Sequence, residues 1–126
     1  MFNRDSKPLR IDTLIARSVK IHGGLDFAGG LHLDGQVEGG VRADPQAPSS
    51  LSVSETGSIE GPVDVTDLIL HGTVRGDIVA RGRVVLGAKA NVEGDVHYGV
   101  IEMTMGAQIT GKLVRLGEPA ASGEDA

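Results

Sequence analysis

The sequence predicts an all-β chain wound as a single-stranded parallel β-helix, a solenoid of about five or six turns. Three observations carry this. A short phrase recurs, a β-branched residue followed by one polar residue and glycine, at Val37-Glu38-Gly39, Ile59-Glu60-Gly61, Val74-Arg75-Gly76, Val92-Glu93-Gly94 and Ile109-Thr110-Gly111. Its glycines lie 22, 15, 18 and 17 residues apart, the spacing of a coil that stacks on itself. Between the glycines apolar residues recur every second position, which marks strands with one buried face. Finally, the chain is rich in glycine, 19 of 126 residues, and its aromatics are Phe2, Phe27 and Tyr98 alone. Thick cores are commonly filled with rings. A core of Val, Ile, Leu and Ala suits a narrow interior.

The elements follow in order. Residues 1–12 mix charges with Pro8 and show no strand pattern, so they read as a disordered tail. The segment Ile11 to Lys20 fits two patterns. Ile11, Leu14, Ile15 and Val19 make a helical stripe, whereas Ile15, Val19 and Ile21 fit an alternating strand if Arg17 snorkels outward. The glycine signal at Gly23-Gly24 continues the repeat and favours the strand. The solenoid domain spans residues 13–116. Leu31, Leu33, Val37 and Val41 alternate with His32, Asp34, Gln36, Glu38 and Arg42. The turn-forming cluster Asp44-Pro45-Gln46-Ala47-Pro48-Ser49-Ser50 fills the long 22-residue interval and reads as a loop bulging from one corner. Val74, Ile78 and Ala80, then Val92, Val96 and Tyr98, resume the alternation. No two-residue hairpin signal separates these strands. Equivalent strands at a near-constant period imply parallel stacking about 4.8 Å apart and a rod on the order of 25–30 Å long. Residues 117–126 are Gly, Pro, Ala, Ser and acids and read as a second disordered tail.

Composition narrows the function. The net charge of −5 argues against nucleic acid as the main partner. Without cysteine there is no disulfide and no thiol chemistry. No apolar run approaches the length of about 18 residues that a spanning helix needs, and the N-terminus lacks the apolar stretch of a secretory signal, so the expected location is cytoplasmic.

Several motifs resemble chemistry and fail on context. Gly106-Ala107-Gln108-Ile109-Thr110-Gly111-Lys112 fits a phosphate loop, but Leu113 stands where a magnesium-binding hydroxyl is required, and the sister phrase Gly72-Thr73-Val74-Arg75-Gly76 marks it as the repeat. The Gly-Gly pairs at 23–24, 29–30 and 39–40 lack the third glycine of a calcium-binding β-helix, having Asp26, His32 and Arg42 in its place. His22, His32, His71 and His97 alternate with apolar neighbours and should point outward. Glu38, Glu60 and Glu93 should form an outward column interrupted by Arg75 and Thr110, a solvated face that keeps lateral strands away. No catalytic residue, cofactor, metal or nucleotide is expected.

Solenoids normally cover their open ends with an atypical repeat. Neither flank here looks like such a cap. The N-terminal turns carry Leu25, Phe27, Leu31 and Leu33. The last turn carries Ile101, Met103, Met105, Ile109, Leu113, Val114 and Leu116. Of these, Leu25, Phe27, Leu31, Met103, Met105, Leu113 and Leu116 are the expected contacts between stacked subunits.

The run from about Ile11 to Leu116 resembles the bactofilins, bacterial polymer-forming proteins. The resemblance rests on Leu33-Asp34-Gly35-Gln36-Val37-Glu38-Gly39, Val92-Glu93-Gly94-Asp95-Val96 and Met105-Gly106-Ala107-Gln108-Ile109-Thr110-Gly111. It implies a right-handed triangular β-helix between disordered tails. It also implies end-to-end filaments that form without nucleotide on the inner face of the cytoplasmic membrane and scaffold cell-wall enzymes, other membrane proteins and cell shape. The start, Met1-Phe2-Asn3-Arg4-Asp5-Ser6-Lys7, resembles the family's membrane-targeting peptide. Met1 and Phe2 would enter the lipid interface, with Arg4 and Lys7 against anionic headgroups. The expected function is a non-enzymatic cytoskeletal scaffold. The alternatives are a hexapeptide-type left-handed β-helix acyltransferase, which needs a histidine pocket at a subunit seam, and an adaptor that does not polymerise.

Overall fold

The structure, a computed structural model, describes residues 11–116. Every regular element among them is a β-strand, and every pairing is parallel. The first turn holds β1 (Ile11–Ile15), β2 (Lys20–His22) and β3 (Leu25–Phe27). The second holds β4 (Gly29–Leu33), β5 (Gln36–Glu38) and β6 (Val41–Ala43). The third holds β7 (Ser49–Val53), β8 (Ser58–Glu60) and the start of β9 (Val63–Leu70). From here one long strand rounds a corner in each turn. The rest of β9 opens the fourth turn, followed by β10 (Thr73–Arg75) and the start of β11 (Ile78–Leu86). The rest of β11, β12 (Asn91–Glu93) and the start of β13 (Val96–Met103) make the fifth turn. The sixth closes with the rest of β13, β14 (Gln108–Thr110) and β15 (Leu113–Arg115).

Each turn therefore has three sides, and equivalent sides stack into three faces. Ile15, Leu33, Val53, Leu70, Leu86 and Met103 form an inward column on the first face. Ile21, Val37, Ile59, Val74, Val92 and Ile109 form one on the second. Leu25, Val41, Val63, Ile78, Val96 and Leu113 form one on the third. The middle members of all three columns are almost wholly buried, and no aromatic ring is among the buried core residues. Each such Val, Leu or Ile contributes roughly 1.5–3 kcal/mol through removal from water.

The recurring phrase now has a physical meaning. Its β-branched residue is the inward member of the second face, and its glycine is the corner into the third. Gly39, Gly61, Gly76, Gly94 and Gly111 have φ between 142° and 157°. Each also stacks so closely on the turn before it that a Cβ would strike backbone atoms. Both conditions select glycine. Asp residues finish these corners by accepting orphan backbone N–H groups. The Asp77 Oδ1 accepts from the Asp95 N–H at 2.9 Å, and Asp95 Oδ1 accepts from the Lys112 N–H at 2.9 Å.

Four sequence expectations change in detail. The segment from Ile15 to Ile21 is not one strand: Ala16, Arg17, Ser18 and Val19 form a corner between β1 and β2, closed by the Val19 N–H donating to the Ala16 carbonyl. The alternating run Leu31 to Val41 likewise crosses three strands on three faces. The bulging loop ends at Pro48, because Ser49 and Ser50 belong to β7. Ser49 is fully buried, and its hydroxyl accepts from the Thr66 N–H at 3.0 Å and donates to Thr66 Oγ1 at 3.3 Å. The strands begin at Ile11, slightly before the expected domain start. The expected tails otherwise lie outside the described residues.

Candidate functional site: the two open ends

The inward columns run to both ends of the rod without a covering strand among the described residues. At the N-terminal end, Ile21, Leu25 and Phe27 are half-buried and pack against the core from one side only. At the C-terminal end Ile101, Ala107 and Ile109 do the same, while Met103 and Leu113 remain 47% and 45% exposed. The same columns have near-zero exposure two turns inward. These side chains point inward like their buried counterparts, and no described turn covers them, although Ile15 in the same outermost turn is only 6% exposed. The backbone repeats the point: β1, β2, β3, β14 and β15 each pair on one edge alone.

The expected contact residues divide accordingly. Leu25 and Phe27 sit at one end, Met103 and Leu113 at the other. Met105 is 92% exposed on the corner between β13 and β14, beside the end surface. Leu116 follows β15, where its N–H donates to the Tyr98 carbonyl at 2.6 Å. Leu31 is the correction. It lies in the second turn beneath Thr13 and is 1% exposed, so it belongs to the interior. Ile21, Ile101 and Ile109 belong to the ends instead. Their signal in the sequence was the repeat itself, since each occupies the inward position of the first or last turn. Met1, Phe2, Arg4 and Lys7 lie outside the described residues.

The second face of the rod carries a polar ladder, whereas the outward positions of the other two include exposed apolar side chains such as Leu14, Ile69 and Val114. His22, Glu38, Glu60, Arg75, Glu93 and Thr110 stack in register, as the outward column required. Arg75 relieves the acidic stack, with Nη1 3.2 Å from Glu60 and Nε 3.8 Å from Glu93. The histidines do not converge. His22 Nδ1 meets Glu38 at 3.1 Å on the second face. His32 lies between Asp34 at 3.0 Å and Ser52 at 3.3 Å on the first. His71 sits on the corner before β10 and His97 on the third face, its Nδ1 buried with no partner. A hydrogen bond from the Ser54 hydroxyl, then the His32 imidazole, holds the Asp34 carboxyl below the usual carboxylate range. Gly106 to Lys112 forms a turn, β14 and a glycine corner, with no helix for a phosphate loop to open. A cleft of about 550 Å³ lies beneath the loop of residues 44–48, lined by Phe27 and Pro45 and by paired charges including Asp64 and Arg81.

Among the described residues the histidines stand apart, and no three His, Cys, Asp or Glu side chains are grouped to hold a metal ion in this arrangement. What it offers is two apolar, edge-exposed cross-sections that match its own interior. A family model for the bactofilins, described as polymer-forming cytoskeletal, matches residues 13–114. No curated protein and no solved structure matches the chain. The matched span is the six-turn solenoid almost in its entirety, and the chain belongs to the bactofilin family.

Proposed function

We propose that this chain is a cytoskeletal scaffold whose subunits stack end to end into filaments without nucleotide. One observation carries the reading: the inward columns and the strand edges continue unbroken to both ends. A second subunit placed on either end restores the burial and the backbone pairing that each inner turn already has. The expected setting is the inner face of the cytoplasmic membrane, where a filament would organise cell-wall or cell-shape machinery. Met1, Phe2, Arg4 and Lys7 would supply the lipid contact. A single tip of this size binds weakly, and a polymer presents many at once.

Negative-stain microscopy of the purified chain without nucleotide tests the assembly. Filaments should form with the wild type. Phe27→Arg and Leu113→Arg place a charge in opposite end surfaces and should leave short particles. Normal filaments from both variants overturn the reading. Removal of Met1–Lys7 should release the polymer from anionic liposomes in a pelleting assay, and unchanged pelleting rules the lipid contact out.

A further inference from the structure

We propose that Ser52 is an activated nucleophile on the first face, which takes an acyl group from an activated ester or thioester with His32 as its base. Strand alternation and register build the site. Leu14, His32, Ser52, Ile69 and Val85 form one outward column in successive turns. Asp34 follows His32 by two residues, just beyond β4. Its backbone is held on both sides. The Asp34 N–H donates to the Ile15 carbonyl at 2.8 Å, and its carbonyl accepts from the Thr56 hydroxyl at 2.8 Å.

Three groups then stand in line. Asp34 Oδ1 is 3.0 Å from His32 Nε2, and His32 Nδ1 is 3.3 Å from Ser52 Oγ. The carboxylate sets the direction of both hydrogen bonds. Asp34 is ionised at neutral pH and can only accept. In the neutral imidazole Nε2 therefore carries the hydrogen, which leaves the Nδ1 lone pair facing the Ser52 hydroxyl. Carboxylate, imidazole and hydroxyl in this order activate a serine for acyl transfer. The Nδ1–Oγ distance lies just outside the range of about 2.6–3.2 Å for such pairs, which is often looser without substrate. Leu14, Ser52 and Asp34 surround the ring, with Arg17 acting on Asp34 from the corner after β1.

The neighbours set the substrate class. Ile69 is 38% exposed, and half-buried Val85 continues beyond it. The column thus offers an apolar track reaching roughly 10 Å from Ser52, on which an aliphatic acyl chain can lie. The N–H groups of β7 are taken up by its ladders with β4 and β9, so the strand has none free to hold an oxyanion. The leaving group must therefore be a good one, a phenolate or thiolate. In the step itself Ser52 Oγ bonds to the acyl carbon and its proton passes to His32 Nδ1. The bond from that carbon to the leaving oxygen or sulfur breaks, and the imidazolium returns the proton to the leaving atom. The product is an O-acyl serine on the side of the rod. The site uses neither end surface, so it is independent of the end-to-end reading.

Incubation of the full-length chain with p-nitrophenyl hexanoate, followed by peptide mass spectrometry, tests this. Ser50 is the internal control: it faces the same way two residues earlier, stacked on Gly30 and Asp67 instead of a histidine. Ser52 should acquire the hexanoyl group about a hundredfold or more faster than Ser50. Its rate should rise between about pH 5 and pH 8, where an imidazole gives up its charge. His32→Gln should lower the rate about a hundredfold and flatten that rise. Asp34 is a positioning residue. Asp34→Asn should slow the step about tenfold or more, because an amide donor to Nε2 turns the ring hydrogen onto Nδ1, and Asp34→Glu should recover part of the loss. Hexanoate should outpace acetate several-fold, and Ile69→Ser should erase that preference. Circular dichroism checks that each variant is folded. No acylation of Ser52, equal rates at Ser50 and Ser52, or a Ser52 rate untouched by His32→Gln overturns the nucleophile. Equal rates for hexanoate and acetate in the wild type overturn the acyl track.

Discussion

Gly61→Ala should cost several kcal/mol and Gly23→Ala distinctly less, although both glycines have positive φ. At Gly61 φ is 142°, and an added Cβ would lie 2.6 Å from the Gly40 nitrogen and 2.8 Å from the Gly39 carbonyl carbon. Heavy atoms in ordinary contact sit about 3.5 Å apart or more, so the shortfall is about 0.9 Å. Backbone atoms of a stacked turn cannot rotate away as a side chain would. The positive φ costs on the order of 1–3 kcal/mol and overpacking about 1–3 more, giving about 2–6 kcal/mol. Domains are stable by only about 5–15 kcal/mol. Gly23 has φ of 111°, yet nothing lies within 4 Å of its added Cβ, because no turn precedes it among the described residues. There the strain of about 1–3 kcal/mol stands alone, and the stiffer unfolded chain offsets about 0.4–1 of it. Urea unfolding followed by circular dichroism, below the concentration of assembly, measures both. A shifted midpoint at constant slope reports stability alone. Equal losses at the two sites, or a Gly61→Ala variant as stable as wild type, would refute the stacking argument.

Two further outcomes follow from the side ladders. Arg75→Glu leaves acids at positions 38, 60, 75 and 93 in successive turns. It should cost about 1 kcal/mol or less at low salt, with most of that regained near 1 M salt, as thermal melts across ionic strength would show; a salt-independent loss contradicts an electrostatic origin. Asp34 has a lowered folded-state pKa, so its contribution to stability is present above its ordinary value of 3.8 and is lost as pH falls through the folded value. Asp34→Asn should therefore melt earlier at neutral pH and lose less between about pH 5 and pH 2 than the wild type; identical melting curves at every pH contradict this.

The sequence by itself determined the solenoid, its parallel stacking, a count of five or six turns and the inward residues of the repeated phrase. These are legible because a strand's alternation and a turn's glycine are local properties, repeated often enough to stand out. Val37, Ile59, Val74, Val92 and Ile109 needed nothing but their spacing. Only the tertiary structure decided where each turn divides into three sides. Alternation continues across a corner, so Leu31 to Val41 reads as one strand although it belongs to three. The ends were decided the same way. Leu25 and Leu31 are equally apolar in sequence, but register puts one in the outermost turn and the other beneath Thr13. Whether a side chain is core or contact surface depends on its place in the stack: Leu25 in the outermost turn is half-buried, while Ile15 in the same turn is buried, a difference no local pattern encodes.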